Sequence, residues 1–153
     1  MNEHMEAAVA EARTGVERGH GGPFGAVVVH DGRIVARGHN NVVTLVDPTA
    51  HAEIVAIREA CRVLGRFDLS DCELYTTCEP CPMCYAAAWW ARIRAISYGC
   101  TRDDASQAGF DDAAIYDDLE GLATRQIEMV QLDREACLGP MRFWREKADR
   151  IPY

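Results

Sequence analysis

Residues 78 to 84 read Cys-Glu-Pro-Cys-Pro-Met-Cys, and no other stretch narrows the possible folds as much. Three of the chain's seven cysteines crowd into those seven positions. The odd count, and an N-terminus without a cationic-then-apolar pattern, fit a reducing, cytoplasmic setting better than a disulfide framework. Cys81 and Cys84 are three apart, so on a helix they share a face. Pro80 and Pro82 suit a helix entry, where missing N–H groups cost little. The free N–H groups and positive dipole end of such an entry lower thiol pKa values. Cys61, Cys72, Cys100 and Cys137 are scattered and read as small buried hydrophobes.

A second short piece, His51-Ala52-Glu53, supplies what the thiols lack. Two thiolates and one imidazole make a neutral three-ligand Zn²⁺ site, one ion per chain, with a fourth place for water. On a regular helix, residues two apart point roughly 200° apart. His51 and Glu53 can face one pocket only if they straddle a helix start, and Asp47-Pro48-Thr49 is a plausible lead-in. Glu53 need not bind metal, because a carboxylate beside activated water can take its proton and pass it on. Rival readings exist. Cys78 could close a structural Cys₃His site. A ferredoxin-type cluster would need a cysteine where Ala88 stands. A thioredoxin-like dithiol would need neither His51 nor Glu53.

Around these pieces the pattern alternates. Met5, Val9, Ala12 and Val16 recur at helical spacing. Strands are expected at 26–29, 34–36, 73–77, 95–98 and 127–132, with Asp31-Gly32 as a hairpin turn. Helices are expected from Ile54 to Leu64, stopping at Gly65, then over 82–92, 113–119 and 134–147, with a polar loop over 40–48 and a loop rich in Asp and Gly after 98. The expected fold class is α/β, a three-layer α/β/α arrangement around a central mixed five-stranded sheet, as one domain spanning 1–153. Sixteen Lys and Arg against 24 Asp and Glu give a net charge of −8. That argues against nucleic acid as a partner, since such binding rests on neutralising phosphates. No run of 18 apolar residues occurs, so no membrane span is expected.

The joint pattern H-x-E and P-C-x-x-C resembles that of zinc nucleobase deaminases. From about Gly21 to about Asp118 the chain resembles the cytidine-deaminase-like superfamily and, within it, bacterial guanine deaminases. The pieces are Gly21-Gly22-Pro23-Phe24-Gly25-Ala26, Asn40-Asn41, Asp47 to Glu53, Cys78 to Cys84, and Gly109-Phe110-Asp111-Asp112 followed by Ile115-Tyr116. The zinc motif marks the superfamily; the Gly-Phe-Asp-Asp piece points to guanine. The resemblance implies hydrolysis of guanine to xanthine and ammonia, a step of purine catabolism and salvage. It implies His51, Cys81 and Cys84 as zinc ligands and Glu53 as the proton shuttle. It also implies Asn40 and Asp112 as hydrogen-bonding partners of the purine, and Phe24 and Trp90 as aromatic walls. Relatives of this kind are homodimers that exchange a C-terminal segment and lay a terminal Tyr over the partner's pocket; Trp144 and Tyr153 fall in that segment here.

Elementary chemistry bears on the acidic partner independently. Guanine presents N1–H and its 2-amino group as donors, and an ionised Asp is acceptor-only. An analogue without those donors would leave Asp112 unpaired. The alternative for substrate is guanosine or another amino-purine or amino-heterocycle. The alternative of a different class is a non-catalytic zinc-stabilised module, with Cys78 as fourth ligand and no task for Glu53. His20 and His39 sit beside glycines and read as solvent-exposed. Of Trp89 and Trp90, adjacent on a helix, only one can face a given pocket.

Overall fold

The structure, a computed structural model, describes residues 2–110, 112–121, 127 and 129–151. Its elements in chain order are α1 (Glu3–Glu17), β1 (Gly25–His30), β2 (Arg33–His39), α2 (Val42–Leu45), α3 (Ala52–Leu64), β3 (Cys72–Cys78), α4 (Pro82–Trp90), β4 (Ala95–Cys100), α5 (Arg102–Gln107), α6 (Ala113–Leu119) and α7 (Arg134–Glu146). They fall into two compact units, Met1–Tyr116 and Asp117–Tyr153.

In the first unit a mixed sheet runs in the order β2-β1-β3-β4. β1 pairs antiparallel with both neighbours, and β3 pairs parallel with β4 through the α4 crossover. β1 is buried on both faces, which is why Ala26 to Val29 form an unbroken apolar run. Its alternation sorts residues between two layers. Val27 and Val29 pack with Ala8 of α1 on one side. Ala26 and Val28 pack with Ala52, Ala56 and Ala60 of α3, and with Leu74, on the other. Both helices sit close on the sheet because glycines permit it. A Cβ at Gly25 would come within 2.1 Å of the Ala8 carbonyl oxygen, and one at Gly38 within 2.5 Å of that of Ala52.

Local chemistry sets the ends. Asn2 caps α1 by accepting from the N–H groups of His4 and Met5. The β1–β2 hairpin turns at Asp31 and Gly32, both at positive φ, as a two-residue turn of this kind demands. α3 ends at Gly65, whose left-handed φ of 65° lets its N–H bond back to Cys61.

Three expectations are corrected. The sheet has four strands among the described residues, not five: no ladder involves the described part of 127–132, and Ile127, Met129, Val130 and Leu132 are all exposed. An apolar run makes a strand only where a neighbour offers paired backbone groups and cover for the side chains. The loops expected over 40–48 and after 98 contain short helices, α2 and α5. α5 starts at a capping box, Thr101 with Asp104. Finally, Cys72 is buried and Cys61 half-buried, whereas Cys100 and Cys137 are exposed. No helix among the described residues is long and apolar enough to cross a membrane.

Candidate functional site

A cavity of about 430 Å³ opens in the first unit, beyond the carboxyl ends of β2 and β3. That is where α/β sheets gather ligand-binding loops. Five segments meet there: the 21–24 loop before β1, Asn40 to Val43 after β2, Pro48 to Glu53 at the start of α3, the turn after β3, and the stretch from α5 to Ile115.

The two motifs arrive as paired helix starts. His51 is the N-cap of α3, with extended backbone (φ −66°, ψ 156°). Glu53 follows within the first helical turn. The pair thus straddles the boundary and both line the cavity. Cys81 is the N-cap of α4, Pro82 begins the helix, and Cys84 lies one turn in. His51 Nδ1 lies 3.6 Å from Cys81 Sγ and 3.5 Å from Cys84 Sγ. Tetrahedral zinc with Zn–S near 2.3 Å and Zn–N near 2.0–2.1 Å places such donors about 3.5 Å apart. The donor chemistry and the spacing therefore fit this ion. Among the described residues these three make the only candidate metal-holding group.

Electrostatics point the same way. The Cys84 thiol hydrogen-bonds Cys81 and, with His51, draws the Cys81 pKa down to about 4. Cys84 is pushed up in turn by the same contact. The hydrogen bond to Cys81 raises His51. A cluster that already holds a thiolate and favours a cation beside it is prepared for a divalent ion. Cys78 stands outside this group. Its thiol points to the Thr101 carbonyl at 3.5 Å, and burial pushes its pKa up to about 11. A closed four-ligand site therefore finds no fourth donor in Cys78.

Glu53 is 5 % exposed and accepts from the Thr76 hydroxyl at 3.3 Å. Burial raises its pKa, so it holds a proton more readily than an ordinary glutamate. Asp112 also lines the cavity, and its Oδ1 is buried without a hydrogen-bond partner. Burial raises its pKa as well. An orphaned buried acceptor facing a cavity calls for a donor on a ligand.

Asn40 is buried, and its side-chain oxygen accepts from Gly22 and Val42 N–H, each at 3.2 Å. Its amide nitrogen is what remains for a ligand. Phe24 lines the cavity and meets Phe110 edge-to-face at 4.7 Å. Trp90 does not line it. Trp90 ends α4 at 55 % exposure, edge-on to Trp89, with the Arg92 guanidinium nearby. Helix direction decides this: α4 presents Cys84 and Ala88 inward, which turns Trp89 and Trp90 outward. Tyr153 and Asp111 lie outside the described residues.

Sequence reasoning missed three features. Phe110 is the second aromatic wall, and its place beside Asp112 in the Gly-Phe-Asp-Asp piece was the available signal. Glu79, inside the cysteine motif, also lines the cavity. His20 and His39 are not solvent-exposed. His20 Nδ1 meets His39 Nε2 at 2.9 Å, and His39 Nδ1 meets Glu11 at 3.0 Å with its side chain 15 % exposed. Nothing local encodes that chain, because Glu11 is 28 positions away.

Comparison with known proteins adds an independent line. Residues 1–100 match the model of the cytidine and deoxycytidylate deaminase zinc-binding region. The chain is 51% identical over 150 residues to a guanine deaminase of Bacillus subtilis (strain 168), covering 97% of this chain and 96% of the relative. It superposes on the crystal structure of guanine deaminase from Bacillus subtilis with a TM-score of 0.93 at 49% identity, over 100% of this chain and 99% of that one. A tRNA-specific adenosine deaminase of Agrobacterium fabrum is 53% identical, but over 95 residues, 62% of this chain and 62% of the relative.

Proposed function

The chain belongs to the cytidine and deoxycytidylate deaminase family, and from that premise we propose that it is a zinc-dependent guanine deaminase. The reaction is guanine plus water giving xanthine plus ammonia. The observation that carries guanine over other bases is the buried, unpaired carboxylate oxygen of Asp112 in the cavity that also holds His51, Cys81 and Glu53.

His51, Cys81 and Cys84 would hold the metal. Zinc bound there supplies Lewis acidity that makes water nucleophilic near neutral pH. Glu53 takes the proton of the attacking water and delivers it to ring nitrogen N3; it then takes the proton of the new hydroxyl on C2 and gives it to the departing amine as the C2 carbonyl forms. Its raised proton affinity suits a group that must both accept and donate. Asp112 accepts from N1–H and from the 2-amino group, which fixes the ring with C2 toward Glu53. Such a charge-assisted pair contributes roughly 1.5–3 kcal/mol when buried. Asn40 offers its amide N–H groups to the acceptor edge of the purine, and Phe24 supports the ring face. A net charge of −8 disfavours a tRNA substrate.

We read residues 1–153 as a single deaminase domain that works in the cytoplasm as a homodimer with C-terminal exchange. In that arrangement Tyr153 of one copy would cover the other's cavity. What supports it is the exposed apolar surface of α7, including Phe143 and Trp144. Ammonia release from guanine, guanosine, adenine and cytosine tests the assignment. Guanine alone should react well, and preference for guanosine or cytosine would overturn it.

A further inference from the structure

The cavity wall carries three carboxylates, Glu53, Glu79 and Asp112, and neither Lys nor Arg is among its described lining residues. Glu53 is assigned to proton transfer and Asp112 to substrate in the guanine reading, on which this inference rests. Glu79 is a liability in such a wall, because a second free acceptor could hold a substrate N–H in the wrong place.

Glu79 is not free. Its Oε2 accepts from the backbone N–H of Arg102 at 3.0 Å. Its Oε1 accepts from the Arg102 guanidinium at 2.7 Å and 3.2 Å. That guanidinium lies 4.1 Å over the ring of Tyr116. The Tyr116 hydroxyl donates to the Pro80 carbonyl at 2.9 Å, next to the metal-ligand position Cys81. One arginine therefore joins three segments: the turn after β3, the start of α5, and the stretch from Asp112 to Tyr116. Asp112 Oδ1 has no hydrogen bond to place it. Its position depends on the backbone one helical turn before Tyr116, anchored where the Ile115 N–H meets the Asp112 carbonyl at 3.1 Å.

We propose that Arg102, outside the cavity, is a positioning residue for guanine. It occupies Glu79 and clamps Tyr116, leaving Asp112 as the single carboxylate free to receive the base's N–H donors. Arginine suits this task because its planar fork can bind a carboxylate and stack on a ring at once, which lysine cannot do.

The test is steady-state kinetics on guanine with zinc content and melting temperature measured in parallel. Arg102→Gln should raise KM roughly tenfold or more, as loss of a charge-assisted placement would, with kcat changed much less and one zinc per chain retained. Arg102→Lys should fall between wild type and Arg102→Gln, because the charge remains but the fork and the stacking do not. Tyr116→Phe, which keeps the ring and loses the Pro80 bond, should raise KM less than Arg102→Gln does. An unchanged KM in both arginine variants would overturn the inference while leaving the guanine reading intact. Equal losses in kcat and zinc content would also overturn it, by making Arg102 a scaffold residue. Failure of the wild type to act on guanine would remove the guanine reading and this inference together.

Discussion

The central strands and α7 carry the same kind of side chain and treat it oppositely. Val27, Val28 and Leu74 are 0 % exposed, while Met141 and Phe143 of α7 are 64 % and 68 % exposed. Both segments follow their expected periodicity, so periodicity alone does not decide burial. A strand finds its cover in helices a few tens of residues away. α7 has no buried residue, so its apolar period leaves large side chains such as Phe143 and Trp144 open to solvent. The two units differ accordingly. The cavity lies in the first unit, where packing fixes geometry. The second unit carries large apolar side chains that stay exposed.

The largest expected effect tests the first half of that contrast. Glu53→Ala should lower kcat by about 10²–10⁴-fold, the usual worth of a positioned proton carrier, with one zinc per chain kept. Loss of the metal with the activity would make Glu53 structural. Leu74→Ala should destabilise by roughly 2–5 kcal/mol, read by denaturant unfolding, since it opens a cavity in a fully buried site. The matched change in the other unit, Phe143→Ala, should cost less than about 0.5 kcal/mol in the isolated chain. A core-sized loss there at high dilution would erase the distinction between the units. Truncation after Trp144 should impair turnover while the first unit keeps its melting transition. A fully active truncated monomer would end the proposed exchange.

The smallest effect is electrostatic and lies on the surface of the first unit. Arg66 pairs with Asp71 and holds its carboxyl at about 2, against an ordinary 3.8. A carboxylate depressed in the fold stabilises above its unfolded pKa and loses that contribution as pH falls through the folded value. The melting difference between wild type and Asp71→Asn should therefore shrink as pH falls from about 5 to about 2. Both partners are exposed, so the effect is slight and weakens with added salt.

Most of the framework was legible in local patterns. The hairpin at Asp31-Gly32, the helix stop at Gly65 and the buried run of β1 each rest on one residue type in one required conformation. That His51, Glu53, Cys81 and Cys84 meet in one place was legible too, because N-cap geometry at two helix starts was the way both motifs could face one place. Trp90 misled, since adjacency on a helix says that at most one of two side chains faces a given pocket, and here neither Trp89 nor Trp90 lines it. The strand expected over 127–132 misled for the same kind of reason: strand formation depends on a partner that sequence spacing does not name.

What the sequence determined by itself was therefore local: the donor types, their spacing, the helix entries and the apolar periods. All of these follow from covalent geometry and short-range hydrogen bonding over a few residues. Tertiary structure alone decided that His51 comes within 3.6 Å of Cys81, that Asp112 keeps an unpaired oxygen in their cavity, and that the Arg102 guanidinium hydrogen-bonds Glu79. Those relations join residues far apart in the chain. The first exists because α3 and α4 pack with their first turns side by side; the others depend on where the segments after β3 and β4 meet.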